Sequence, residues 1–119
     1  MNLHFHFDII AGNCEPFGFV TWDMDASNLP DEGDKFDVTF GKGLPAGTEG
    51  VTASLEEFSG SLKVESTKLI DSISGGPEGI VLLEDVVLNS KRNAIRFRDF
   101  LENDLDFFVI DYERDFEAK

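Results

Sequence analysis

Between Leu3 and Ile9 the chain alternates without a fault: Leu3, Phe5, Phe7 and Ile9 are apolar, and His4, His6 and Asp8 between them are polar. Side chains on a strand point to opposite faces with a period of two, so this run specifies a β-strand that buries one face and wets the other. A strand of that kind needs partners for its backbone and a layer for its apolar face. Phe17 to Asp23 (FGFVTWD) follows at once, aromatic and β-branched, and reads as the second arm of a hairpin whose turn holds Gly12, Asn13 and Glu15. Lys35 to Phe40 alternates again, with Phe36, Val38 and Phe40 against Asp37 and Thr39, and predicts a third strand.

Four glycines and Pro45 between Gly41 and Gly50 predict a surface loop. From Val51 to Ser74 the periodicity is mixed. Leu55, Phe58, Leu62, Leu69 and Ile73 fall at helix-like spacings, but Gly60 interrupts them and Ser, Thr and Val crowd the second half, which favours a strand over Leu62 to Ile70. Gly75, Gly76, Pro77 and Gly79 break the chain. Ile80 to Leu88 then reads as one apolar strand that could be buried on both faces.

Ser90 is placed to cap a helix in which Ala94, Phe97 and Leu101, flanked by Ile95 and Phe100, form one apolar face running to about Glu102. Asn103 and Asp104 end it. Leu105 to Tyr112 (LDFFVIDY) returns as a strand, and a polar tail closes the chain. Strands with one late helix predict an α+β fold: a mainly antiparallel twisted sheet with one helix of the C-terminal half packed on it, barrel closure or a half-barrel being the alternative. No internal repeat or polar linker divides residues 1–119, so a single domain is expected.

Charge limits the partners. Asp and Glu number 24 against 10 Lys and Arg, a net charge of −14 at pH 7. Disorder is excluded by the apolar content of 41%, including twelve Phe spread along the whole length. A surface this negative repels nucleic acid and anionic membranes and attracts basic molecules. Cys14 is the single cysteine, so no internal disulfide is expected and a reducing, cytoplasmic setting fits. The first ten residues lack the pattern of a signal peptide, and no apolar run approaches the roughly 18 residues of a spanning helix.

Four constellations could carry chemistry. His4 and His6 share a strand face and could offer two imidazoles to a metal, but no further Cys or His cluster completes a site, and two polar outer-face residues are expected instead. Asp23, Asp25, Ser27, Asp31 and Asp34 match the oxygen spacing of a calcium loop at relative positions 1, 3, 5, 9 and 12, but Asn28 replaces its glycine, Asp34 its glutamate, and strands rather than helices flank it. A solvated acidic loop is expected. The rings of FGFVTW would stack nucleic acid bases only beside a basic groove; with Glu15, Asp23 and Asp25 on the flanks they read as core. Lys91, Arg92, Arg96 and Arg98 gather early in the helix and are expected to pair with Asp99, Glu102, Asp104 and Asp106 rather than bind phosphate. No nucleophile elbow, phosphate loop or cysteine with an evident base is present, and no catalytic residue, metal or cofactor is expected.

In size, acidity and lack of catalytic motifs the whole chain resembles bacterial immunity proteins, such as those paired with contact-dependent growth inhibition toxins or colicins. That resemblance implies a non-enzymatic protein that docks on a basic partner, a cognate toxin and often a nuclease, and inhibits it. An acidic adaptor or chaperone for a basic protein, or a small metal-dependent enzyme using carboxylates, are the alternatives. Contact residues would be exposed carboxylates beside an aromatic anchor. Two patches fit: Asp23, Asp25, Asp31, Glu32 and Asp34 near Trp22, and Glu102, Asp104, Asp106, Asp111 and Glu113 near Tyr112.

Overall fold

The alternating run forms the centre of the molecule. In the structure, a computed structural model that describes residues 1–70 and 76–116, strand β1 (Asn2–Ala11) buries Leu3, Phe5, Phe7 and Ile9 completely and leaves the intervening side chains partly exposed. A 3-10 turn (Gly12–Cys14) returns the chain into β2 (Glu15–Asp25), antiparallel to β1, with Phe5 opposite Trp22 and Phe7 opposite Val20. Cross-strand partners share a face, so these four make a continuous apolar patch.

On its other side β1 is met by parallel strands, first β6 (Gly79–Leu83) and then β7 (Val86–Leu88). This corrects the expectation of one strand over Ile80 to Leu88 buried on both faces. Burial alternates along β6, leaving Leu82 exposed, and the line breaks at Glu84. The Glu84 carboxylate is buried at the break. It accepts from the Ser54 N–H at 3.1 Å, the Ser54 hydroxyl at 2.8 Å and the Lys63 N–H at 2.6 Å, so its burial is met by three donors.

Around this centre lie β5 (Ser61–Leu69) antiparallel to β6, β3 (Lys35–Asp37) antiparallel to β5, β4 (Gly50–Thr52) antiparallel to β7, and β8 (Phe108–Asp111) antiparallel to β2. The order β3-β5-β6-β1-β2-β8, with β4 on β7, makes a mixed, mostly antiparallel open sheet. The fold is α+β. Gly18 allows the β2–β8 contact: a Cβ there would stand 1.8 Å from the Ile110 carbonyl oxygen.

One face of the sheet is covered. Helix α1 (Lys91–Asn103) begins at Ser90, whose hydroxyl accepts the Asn93 N–H at 3.1 Å, and buries Ala94, Phe97, Phe100 and Leu101. Phe97 reaches Phe7 and Phe58, centroids 6.2 Å and 5.4 Å apart. The segment between β2 and β4 covers the other half of that face with Leu29, Phe36, Val38 and Leu44. On the opposite face stand His4, His6, Asp8, Phe19, Thr21, Leu82 and Phe108, all at least partly exposed.

Two predicted strands are shorter than their patterns. The strand over Lys35 to Phe40 stops at Asp37, because the Asp37 carboxylate accepts from the N–H and hydroxyl of Thr39 at 2.8 Å and 2.6 Å and from the Gly41 N–H at 2.9 Å, folding the chain into a turn. Burial works against that carboxylate, but these bonds outweigh it and hold its pKa below the ordinary value. The strand over Leu105 to Tyr112 starts only at Phe108, and Tyr112 already opens a short helix, α2 (Tyr112–Phe116), where a polar tail was expected. The helix-like spacing near Leu55 has no helix behind it: Leu55 sits in a turn at φ 66° and is exposed, while Phe58 and, from β5, Leu62 enter the core. Ile73, Gly75 and residues 117–119 lie outside the described residues.

Candidate binding site

Two turns and the end of one strand meet beside Trp22. The Asp37 turn carries Phe40; the turn after α1 carries Asp104, Asp106 and Phe107; β2 brings Trp22 and Asp23. They enclose an open cleft of about 400 Å³. Lys42 Nζ donates to the Asp104 carbonyl at 3.1 Å and ties one turn to the other.

The cleft floor is aromatic. Trp22 lies between Phe5 and Phe107, with centroids 5.1 Å and 4.4 Å away and planes within 4° and 3° of parallel. Phe40 stands edge-on to both Trp22 and Phe107, at 6.4 Å and 5.6 Å, and is 46% exposed. Phe40 and Asp106 both hold left-handed backbone, at φ 52° and 57°. For a phenylalanine this conformation costs on the order of 1 kcal/mol, offset here by the ring contacts and by the turn hydrogen bonds. The indole N–H of Trp22 is buried and finds no acceptor among the described residues.

The rim is anionic. Asp104 and Asp106 form no ion pair among the described residues, and Asp23 is met only by His4, whose Nδ1 lies 2.6 Å from its carboxylate. Elsewhere among the described residues, five of the chain's Lys and Arg are engaged. Arg98 meets Asp99 at 2.8 Å, Glu102 at 4.0 Å and Asp111 at 2.6 Å; Arg114 holds Glu102 and Asp115; Lys91 pairs with Glu113; Lys35 and Lys63 share Glu56. Of the helix cations expected to pair locally, Lys91 does so with Glu113 and Arg98 with Asp99, Glu102 and Asp111; Arg92 and Arg96 form no ion pair among the described residues, and Asp104 and Asp106 are left out. A second depression adjoins the cleft, shares Trp22, Asp23 and Asp106 with it, and adds His4 and Phe108. Phe108 is 61% exposed.

The structure divides both predicted patches. Trp22 and Asp23 from the first join Asp104 and Asp106 from the second. Asp25 lies 3.4 Å from the N-terminal amino group, away from the cleft. Asp31, Glu32 and Asp34 sit on the exposed loop, where the Asp34 carboxylate accepts the Asp31 N–H at 3.0 Å. Glu102 is held by Arg114 through two bonds of 3.0 Å and 2.9 Å, and Glu113 by Lys91. Asp111, expected at the surface, is 4% exposed, because it binds Arg98 and caps α2 through the Glu113 and Arg114 N–H groups. Tyr112 belongs to the other face, in a row of rings with Phe19 and Phe116.

Phe40 and Phe107 were missed as site residues. Phe40 looked like a core position of a third strand; the left-handed turn turns it outward. For Phe107 a signal existed: the doublet Phe107–Phe108 forces two adjacent rings in opposite directions, so both cannot be core. The rings of FGFVTW divide in the same way, Phe17 and Trp22 inside and Phe19 on the outer face, stacked on His6 at 5.1 Å.

His4 and His6 each contact a carboxylate, His6 Nε2 lying 3.0 Å from Asp8. Among the described residues no group of three His, Cys, Asp or Glu side chains is arranged to hold a metal ion. At the outer end of β5 and β6, burial and then the repulsion of neighbouring carboxylates raise the pKa values of Glu65 and Asp85. No described helix is long and apolar enough to cross a membrane. Compared with models of protein families, with curated proteins and with solved structures, the chain matches none.

Proposed function

We propose that this chain is a non-enzymatic, cytoplasmic binding protein that docks on a basic partner protein and inhibits it, as bacterial immunity proteins do to cognate toxins, nucleases among them. The observation that carries this reading is the cleft itself: exposed Phe40 and Phe108 flank carboxylates of Asp23, Asp104 and Asp106 that no Lys or Arg among the described residues pairs with. Interfaces of this kind divide their labour. Rim charges govern how fast an oppositely charged partner arrives, and buried aromatic anchors govern how slowly it leaves. A net charge of −14 supplies the long-range attraction.

The test asks whether a gene adjoining this chain's encodes a basic protein and, with that protein as partner, uses stopped-flow mixing as readout. A 1:1 complex is expected, with association that slows steeply as salt rises. Reversing Asp23, Asp104 and Asp106 together to Lys is expected to slow association about tenfold or more, and Phe40→Ala to speed dissociation. Association unchanged by the triple reversal overturns the reading. So does equal affinity for unrelated basic or unfolded proteins, which would mark a chaperone.

A further inference from the structure

Resting on that docking reading, we infer that the cleft receives one particular group of the partner: an arginine side chain carried on an extended segment. Three features of the cleft call for different parts of such a guest. The carboxylates of Asp104 and Asp106 stand two residues apart on one turn, with Asp23 on the facing strand; Lys42 reaches the Asp104 carbonyl, but neither the Asp104 nor the Asp106 carboxylate forms an ion pair among the described residues. They call for a cation from outside.

The aromatic floor selects which cation. Both faces of Trp22 are covered, by Phe5 and Phe107, so the ring surface left to a guest is that of exposed Phe40 and half-buried Phe107, which ends the stack. A guanidinium is flat, weakly hydrated and has five donors in one plane; it lies on a ring and binds two carboxylate oxygens at once. A lysine ammonium is compact and strongly hydrated, and loses water on the same apolar floor without matching its shape.

The third feature is the indole N–H of Trp22, a cleft-lining residue more than nine-tenths buried; that N–H has no acceptor among the described residues. A buried donor left unsatisfied is costly. An incoming peptide brings carbonyl oxygens beside its arginine, and one of these is the acceptor the indole lacks. Phe40, an exposed ring edge-on to that indole, is carried on a turn at the cleft.

Trp22 is the chain's only tryptophan, so its emission reports the cleft directly. The probes are Ac-Gly-Arg-Gly-NH2 and Ac-Gly-Lys-Gly-NH2, titrated into the intact chain at low salt. The arginine peptide is expected to change Trp22 emission saturably, with a dissociation constant on the order of millimolar, and to bind about fivefold or more tightly than the lysine peptide. Asp106→Asn and Asp104→Asn should each weaken it severalfold; asparagine accepts the left-handed backbone at 106, so that variant folds. Glu15→Gln, the same loss of charge at the far end of the hairpin, should leave binding unchanged. Equal binding of the two peptides, or a Glu15→Gln effect as large as that of Asp106→Asn, overturns the inference. If the arginine peptide fails while the triple reversal still slows the partner, the arginine assignment falls and docking stands. If the peptide binds and the reversal leaves the partner's association untouched, the docking reading falls instead.

Discussion

The indole of Trp22 and the ring of Phe107 lie parallel with centroids 4.4 Å apart, although they are 85 positions apart in the sequence. The contact joins β2 to the turn after α1 and closes a stack that begins at Phe5. Offset parallel rings bury area and complement each other's quadrupoles, so this pair holds the end of the helix against the sheet and at the same time forms the cleft floor.

Phe107→Ala should therefore destabilise the fold by about 2 kcal/mol, less than for a fully buried ring because Phe107 is half-buried. Trp22 would lose its cover, and its emission should move to longer wavelength in the native state. Urea unfolding followed by fluorescence measures both. An unshifted spectrum would mean that another side chain fills the gap.

Arg98 and Asp111 form an internal pair at 2.6 Å with side chains only 17% and 6% exposed. Neighbouring Asp99 shares the arginine, and together the two acids hold its pKa high against the opposing effect of burial. Asp111→Asn leaves Arg98 with one partner fewer and should cost roughly 2–3 kcal/mol. The double variant with Arg98→Met should recover part of that loss, because the stranded charge is gone. Denaturant melts of the four proteins of the cycle give the coupling directly, and strict additivity would show that the pair does not interact.

Burial first, and then repulsion from Asp8 and Glu84, hold the Asp85 carboxyl above its ordinary pKa of 3.8. A carboxyl with a raised folded pKa binds its proton more tightly in the folded state, so it favours folding as pH falls and disfavours it as pH rises through the folded value. Asp85→Asn should thus stabilise the protein at neutral pH, by on the order of 0.5 kcal/mol, and the gain should shrink towards acid. Melting temperatures across the range decide; a gain that persists in acid is not electrostatic.

Gly18→Ala places a methyl group against the Ile110 carbonyl, and backbone cannot yield as a side chain does. The edge strand β8 should detach from β2, at a cost of about 3 kcal/mol or more. Hydrogen exchange localises the damage: amide protection should fall at Val109 and Ile110 and persist along β1.

Local pattern carried much of this fold. The hairpin, the capped helix and the strand over Leu62 to Ile70 were legible because alternation, a serine cap and an apolar helical face are properties of neighbouring residues. Where single residues overrode the pattern it misled. Asp37 folded its strand into a turn by accepting three hydrogen bonds, and Glu84 broke the apolar run by finding three donors. Strand β4, where the predicted loop meets the stretch of mixed periodicity, went unread because three residues hold too little pattern. The site was half legible: Trp22, Asp23, Asp104 and Asp106 were singled out, but in different patches.

From its residues alone, this chain was bound to form a sheet with one wet and one dry face and one amphipathic helix, and to carry a large surplus of acids. Period and net charge are sums over sequence and need no third dimension. Which acids remain unpaired, and that Phe40 and Phe107 close on Trp22 from distant turns, was decided only by the tertiary structure. Ion pairs and ring stacks depend on distances of a few ångströms between segments far apart in the chain, and it is the parallel crossing of β6 and β7 beside β1, the turn at Asp37 and the capped end of α1 that set those distances.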